Sequence, residues 1–128
     1  MSTTKDIHDV CLNIISIPEI LTRERNVSFN CLLKKSGYFE MRDKITVEAI
    51  RQALLEEPNR VIDRVIDWIQ FSEDQRGGEW FFLRESGHYE VGFISSEGDE
   101  IPATKYSDPL EACATFIKHK IEEVRLTD

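Results

Sequence analysis

No stretch of this chain approaches the roughly 20 consecutive apolar residues that a helix needs to cross a bilayer. The opening residues, MSTTKDIHDVCLNIISIPEI, also lack the basic start and apolar run of a secretory signal, so a cytoplasmic location is the expectation. Cysteine is sparse: Cys11, Cys31 and Cys113 are odd in number and irregular in spacing, which excludes both a disulfide framework and a CxxC metal knuckle. Free, mostly buried thiols are expected instead. Glycine and proline are also few, at 6 and 4, which argues against a disordered chain. At 128 residues the chain can bury roughly two thirds of the surface it exposes when unfolded, so no cofactor or disulfide is needed to hold it together.

Positive charge is what one segment lacks. Residues 73–111 carry ten acids and three bases, whereas residues 1–72 carry eleven and ten and residues 112–128 three and three. Nearly all of the formal net charge of −8 therefore sits in one place. Such a field repels nucleic acid and draws in a basic partner.

Ile7, Val10, Cys11, Ile14 and Ile15 follow the spacing of a helix stripe, and Ser16 with Pro18 suggests a cap and start for a short second helix through about Arg25. A third helix is expected in SFNCLLKKSG, with Ser28 as cap, Phe29, Leu32 and Leu33 inward and Gly37 as its left-handed stop. Thr46 can cap a fourth whose inner side is Val47, Ile50 and Leu54, with Pro58 marking its end. In NRVIDRVIDWIQF the stripe Ile62, Val65, Ile66 and Ile69 is expected inward, with Asp63, Arg64, Asp67 and Gln70 opposite and Trp68 widening the buried side.

After Gly77 and Gly78 the pattern turns aromatic and β-branched, with turn signals at Ser86–Gly87 and Glu97–Gly98. Three strands in a meander follow. A two-residue turn at Ser86–Gly87 sets Phe82 opposite Val91 and Trp80 opposite Phe93, an aromatic layer that should pack on the helices. Phe81, Leu83, Gly92 and Ile94 then share the other face with Glu85 and Glu90, and Pro102 marks the third strand as an edge. Asp108, Pro109 and Glu111 announce a last helix with Leu110, Cys113, Ala114, Ile117, Ile121 and Val124 inward. The fold class expected is α+β over 1–128: an N-terminal helical bundle (about 1–72), then a three-stranded antiparallel meander and a C-terminal helix packed on it (about 77–126).

No catalytic residue emerges. The chain has no Walker loop, no G-x-G-x-x-G and no G-x-S-x-G elbow, and Cys113 falls on an apolar stripe where a thiol is inert. His119 and Glu123 have the i, i+4 spacing of a ligand pair but no third ligand, so they read as a solvated helix pair, and His8 and His88 as surface residues. Neither metal nor cofactor is expected, and the protein reads as a non-enzyme. A helix, a tight turn near Gly37, a second helix and a hairpin loosely resemble a winged helix, but the second helix offers Glu48, Arg51, Gln52, Glu56 and Glu57 and the hairpin is the most acidic segment. That is poor ground for phosphate contact.

The stretches SEDQRGGEWFF, YEVGF and YSDPLEACATFI resemble the C-terminal half of small bacterial domains found among toxin-immunity proteins, over about residues 60–125. The resemblance implies an immunity protein of the contact-dependent inhibition or a related polymorphic-toxin kind. It would bind one cognate basic toxin, a nuclease being one candidate class, in the cytoplasm, with neither nucleic acid nor membrane as partner. Partner-binding candidates are Glu73, Asp74, Glu79, Glu85, Glu90, Glu97, Asp99 and Glu100 as electrostatic contacts, with Phe81, Leu83 and Tyr106 as anchors. The rival expectations are a transcription-linked regulator and a non-catalytic adaptor that adds a partner strand beside Pro102.

Overall fold

A computed structural model describes residues 3–24, 26–74, 80–94 and 100–127. The helices run α1 (Thr3–Ile15), α2 (Ile17–Arg23), α3 (Phe29–Ser36), α4 (Tyr38–Met41), α5 (Val47–Leu55) and α6 (Val61–Asp74), then strands β1 (Trp80–Glu85), β2 (His88–Ile94) and β3 (Glu100–Tyr106), and finally α7 (Pro109–Thr127). The architecture is α+β, with the sheet in the order β1-β2-β3, antiparallel throughout, and α7 packed against all three strands. Among the described residues no helix is long and apolar enough to cross a membrane.

Local chemistry accounts for most of the element ends. Ser28 accepts a hydrogen bond from the Cys31 amide at 3.1 Å, and Thr46 accepts one from the Ala49 amide at 3.1 Å, each satisfying an otherwise orphaned donor. Gly37 ends α3 at φ +94°, a left-handed conformation that glycine adopts without steric cost. Asp108 Oδ1 accepts from the Leu110 amide at 2.9 Å, while its Oδ2 takes Arg51 of α5 at 3.3 Å, so the cap also ties two helices together.

Ser16 behaves differently from the cap the sequence suggests. Its backbone stays helical, and its hydroxyl donates back to the Leu12 carbonyl at 2.9 Å and accepts from no amide at the start of α2. It serves instead as an acceptor for Arg64, at 3.2 Å. Unforeseen too is α4, which restarts immediately after Gly37 and buries Tyr38. The Tyr38 hydroxyl donates to Glu122 and accepts from Lys118 Nζ at 2.9 Å, fastening α4 to α7.

The larger correction concerns α6. Its buried side is Val65, Trp68 and Phe71 with Arg64, whereas Ile62 and Ile66 are 59% and 41% exposed. Only Ile69 of the expected isoleucines packs partly on the core, alongside Val65. Trp68, expected at the margin, is the centre: its indole N–H donates to the Ile15 carbonyl at 3.3 Å, and Phe29, Phe71 and Phe116 surround it edge-on. Two aromatic side chains bury more apolar area than two isoleucines, which turns the helix to this face.

The core continues through α7, where Ala112, Cys113, Ala114, Phe116, Ile117 and Ile121 are all buried. Phe116 stacks on Phe82 of β1 at 5.6 Å, so one hydrophobic cluster joins the helices to the sheet.

Candidate functional site

The first hairpin sets the geometry of the sheet. Trp80 pairs with Phe93 and Phe82 with Val91, the register expected, around a turn in which Gly87 has φ +80°. Strand alternation then puts Trp80, Phe82, Val91 and Phe93 on the α7 side and Phe81, Leu83 and Glu85 on the other. Phe82 and Val91 are buried. Trp80 meets Phe93 edge-on at 5.2 Å and lies flat on His119, with ring centroids 3.8 Å apart and planes 6° from parallel. His119 is thus part of the packing rather than half of a solvated pair, and burial holds its pKa below the ordinary histidine value. Glu123 turns instead to Lys120, at 3.0 Å.

The face turned away from α7 carries four of the expected contact residues. Phe81 stands opposite Gly92, which has no side chain, Leu83 opposite Glu90, and Glu85 opposite His88. Phe81 and Leu83 are half-buried and Glu85 is exposed. The Glu90 carboxylate meets His88 Nε2 at 2.9 Å, and Lys105 of β3 faces Glu90 from the other side. Tyr106 does not join this group. It pairs with Tyr89 and packs against the core, on the α7 side of the sheet. Glu73 and Asp74 close α6 and Glu100 opens β3, with side chains outside the described set, as are Glu79, Glu97, Asp99 and the turn residues Gly77, Gly78 and Gly98 altogether.

Sheet order makes β3 an edge strand, as Pro102 suggests, and β1 the other edge. The β1 edge is partly closed, because Ser72 of α6 accepts the Phe82 amide at 2.8 Å.

Chemistry based on thiols has little support. Burial pushes the Cys11 thiol up to about 11, and the wholly buried Cys113 is raised further by the same cause. Among the described residues no three His, Cys, Asp or Glu side chains converge as a metal site.

A second constellation escapes sequence reasoning. A cleft of about 460 Å³ between α1, α2, α3 and α6 is lined by Arg23, Lys35, Arg60 and Arg64 with Glu19 as its single acid. Its cations come from separate elements, and only the i, i+4 spacing of Arg60 and Arg64 hints at it. No known protein family, curated protein or solved structure matches this chain.

Proposed function

We propose that the protein is a bacterial immunity protein that binds and neutralises a basic toxin in the cytoplasm, without catalysis of its own. The observation that carries this reading is the sheet face opposite α7, where half-buried Phe81 and Leu83 lie beside Glu85 and Glu90. Apolar side chains of this kind supply slow dissociation once desolvated, and the surrounding carboxylates accelerate encounter with a cationic surface. The acid excess of residues 73–111 and the resemblance over residues 60–125 support the same partner class.

The test pairs this protein with the product of any large open reading frame that adjoins its gene. Growth rescue on co-expression, together with a complex whose association slows with added salt, is the expected result. Glu85→Lys with Glu90→Lys should cut the association rate about tenfold at low salt, since steering by surface charge changes rates by ~10 to 10³. Unchanged association in that variant defeats the acidic-face mechanism, and failure to rescue growth defeats the immunity reading.

The adaptor reading has one observation in its favour, the edge position of β3, since the opposite edge at β1 is already engaged by Ser72. Peptide addition along β3 is the mode it uses.

A further inference from the structure

We infer that the cleft between α1, α2, α3 and α6 binds a small phosphorylated molecule with an apolar body. This inference concerns the helical half and stands apart from the sheet-face reading. The cleft volume of about 460 Å³ falls in the range of small-molecule sites. Its lining holds four cations against one acid, and with Glu57, which pairs with Arg60 at 3.7 Å and Arg64 at 3.5 Å, the cations still outnumber their acid partners, opposite in sign to the chain as a whole.

Arg64 forms the deep end. It is 5% exposed, and its Nη1 reaches Ser16 Oγ at 3.2 Å and Glu19 Oε2 at 3.3 Å, while Nη2 reaches Glu57 Oε1 at 3.5 Å. Glu19 Oε2 also accepts from Arg60 at 3.1 Å, so one carboxylate oxygen serves two guanidinium groups. That crowding of positive charge holds the Glu19 carboxyl below its ordinary pKa, chiefly through the Arg60 hydrogen bond, and Arg23 adds to the effect. Arg23 and Lys35 also line the cleft, are exposed and form no salt bridge among the described residues. Two guanidinium planes with further cations nearby suit the several acceptor oxygens of a phosphate.

Ile17, Ile20 and Leu32 also line the cleft, which favours a ligand carrying a hydrophobic or planar group over a bare inorganic ion. Phosphate and body would then be recognised by different residues of one cleft.

Phenyl phosphate and AMP are suitable probes, with inorganic phosphate and phenol as the two halves. Titration by calorimetry and by amide NMR shifts on the full chain is expected to show saturable binding of both probes. The shifted amides should fall within residues 13–36 and 60–64. Arg23→Ala with Lys35→Ala removes two exposed cations and should weaken both probes by about tenfold or more, whereas Lys44→Ala should leave them unchanged. The inference is overturned if neither probe saturates below ~10 mM, where the binding free energy is under about 3 kcal/mol. It is equally overturned if inorganic phosphate or phenol binds as tightly as phenyl phosphate, or if the double variant binds the probes as well as the native chain. Far-ultraviolet circular dichroism on each variant keeps loss of fold separate from loss of binding.

Discussion

Which side of α6 faces inward is open to direct test, because neighbouring residues should respond in opposite ways. Val65 is buried and Ile62 is 59% exposed. Val65→Ala removes two carbon groups worth about 0.8 kcal/mol each and leaves a small cavity, so a loss of about 2–3 kcal/mol is expected. Ile62→Lys forfeits only the covered two fifths of a side chain whose complete burial is worth about 1.5–3 kcal/mol, and the lysine stem restores part of it, leaving a loss below about 1 kcal/mol. With a urea m-value of about 2 kcal/mol/M, the first change lowers the unfolding midpoint by about 1–1.5 M and the second by less than about 0.5 M. Equilibrium urea unfolding followed by tryptophan emission measures both, Trp68 reporting the core directly. An Ile62→Lys midpoint as low as that of Val65→Ala, or lower, refutes the orientation described and returns α6 to the face its isoleucines suggest.

Gly37→Ala should cost about 1–2 kcal/mol, since an L-residue is strained at φ +94° and the added methyl would stand 3.1 Å from Val10 Cγ2. Thermal unfolding reads this loss, and an unchanged midpoint contradicts the assignment. His119 is kept neutral by burial against Trp80, so the unfolded chain binds its proton more readily than the folded one. Its contribution to stability is complete above about pH 6.5 and is lost as pH falls through the lower folded value. In His119→Asn the unfolding midpoint should therefore vary less between pH 7.5 and pH 5 than in the native chain, and an equal variation rules the histidine out.

Where a signal is local, sequence and structure agree. Asp108 and Pro109 start α7, Ser28 and Thr46 cap their helices, and the Ser86–Gly87 turn sets the β1–β2 register residue for residue. Disagreement begins where two local answers are equally periodic. On α6 the set Ile62, Ile66 and Ile69 and the set Val61, Val65 and Trp68 have the same helical spacing, and only contact with Phe29 and Phe116 from other elements decides between them. His119 looks solvated from its own helix, because the ring that covers it arrives from β1. On the sheet, alternation alone placed Phe81, Leu83, Glu85 and Glu90 correctly on one face. The side of Tyr106 depends on its pairing with Tyr89 across β2 and β3, in a ladder whose register shifts between Val91 and Phe93. No run of residues encodes the cationic cleft, since Arg23, Lys35, Arg60 and Arg64 meet only when α2, α3 and α6 pack.

Arg64 joins these threads. A buried guanidinium is costly unless its donors are well matched, and ion pairs of this kind are often no more stabilising than apolar residues of equal volume. Its contacts, at 3.2–3.5 Å, are longer than the roughly 2.7–2.9 Å of strong charge-assisted hydrogen bonds. Glu19 and Glu57 are each shared between Arg60 and Arg64, so neither guanidinium has a carboxylate to itself. A network built only to hold α2 against α6 would gain from closer pairing, and two exposed cations without a salt bridge among the described residues would add repulsion to Arg60 and Arg64. A multivalent anion in the cleft supplies acceptors beyond those of Glu19 and Glu57, in a space that Arg23 and Lys35 also line. The same reasoning separates the two faces of the molecule: carboxylates on the outer sheet suit a cationic protein, and the cleft suits a small anion.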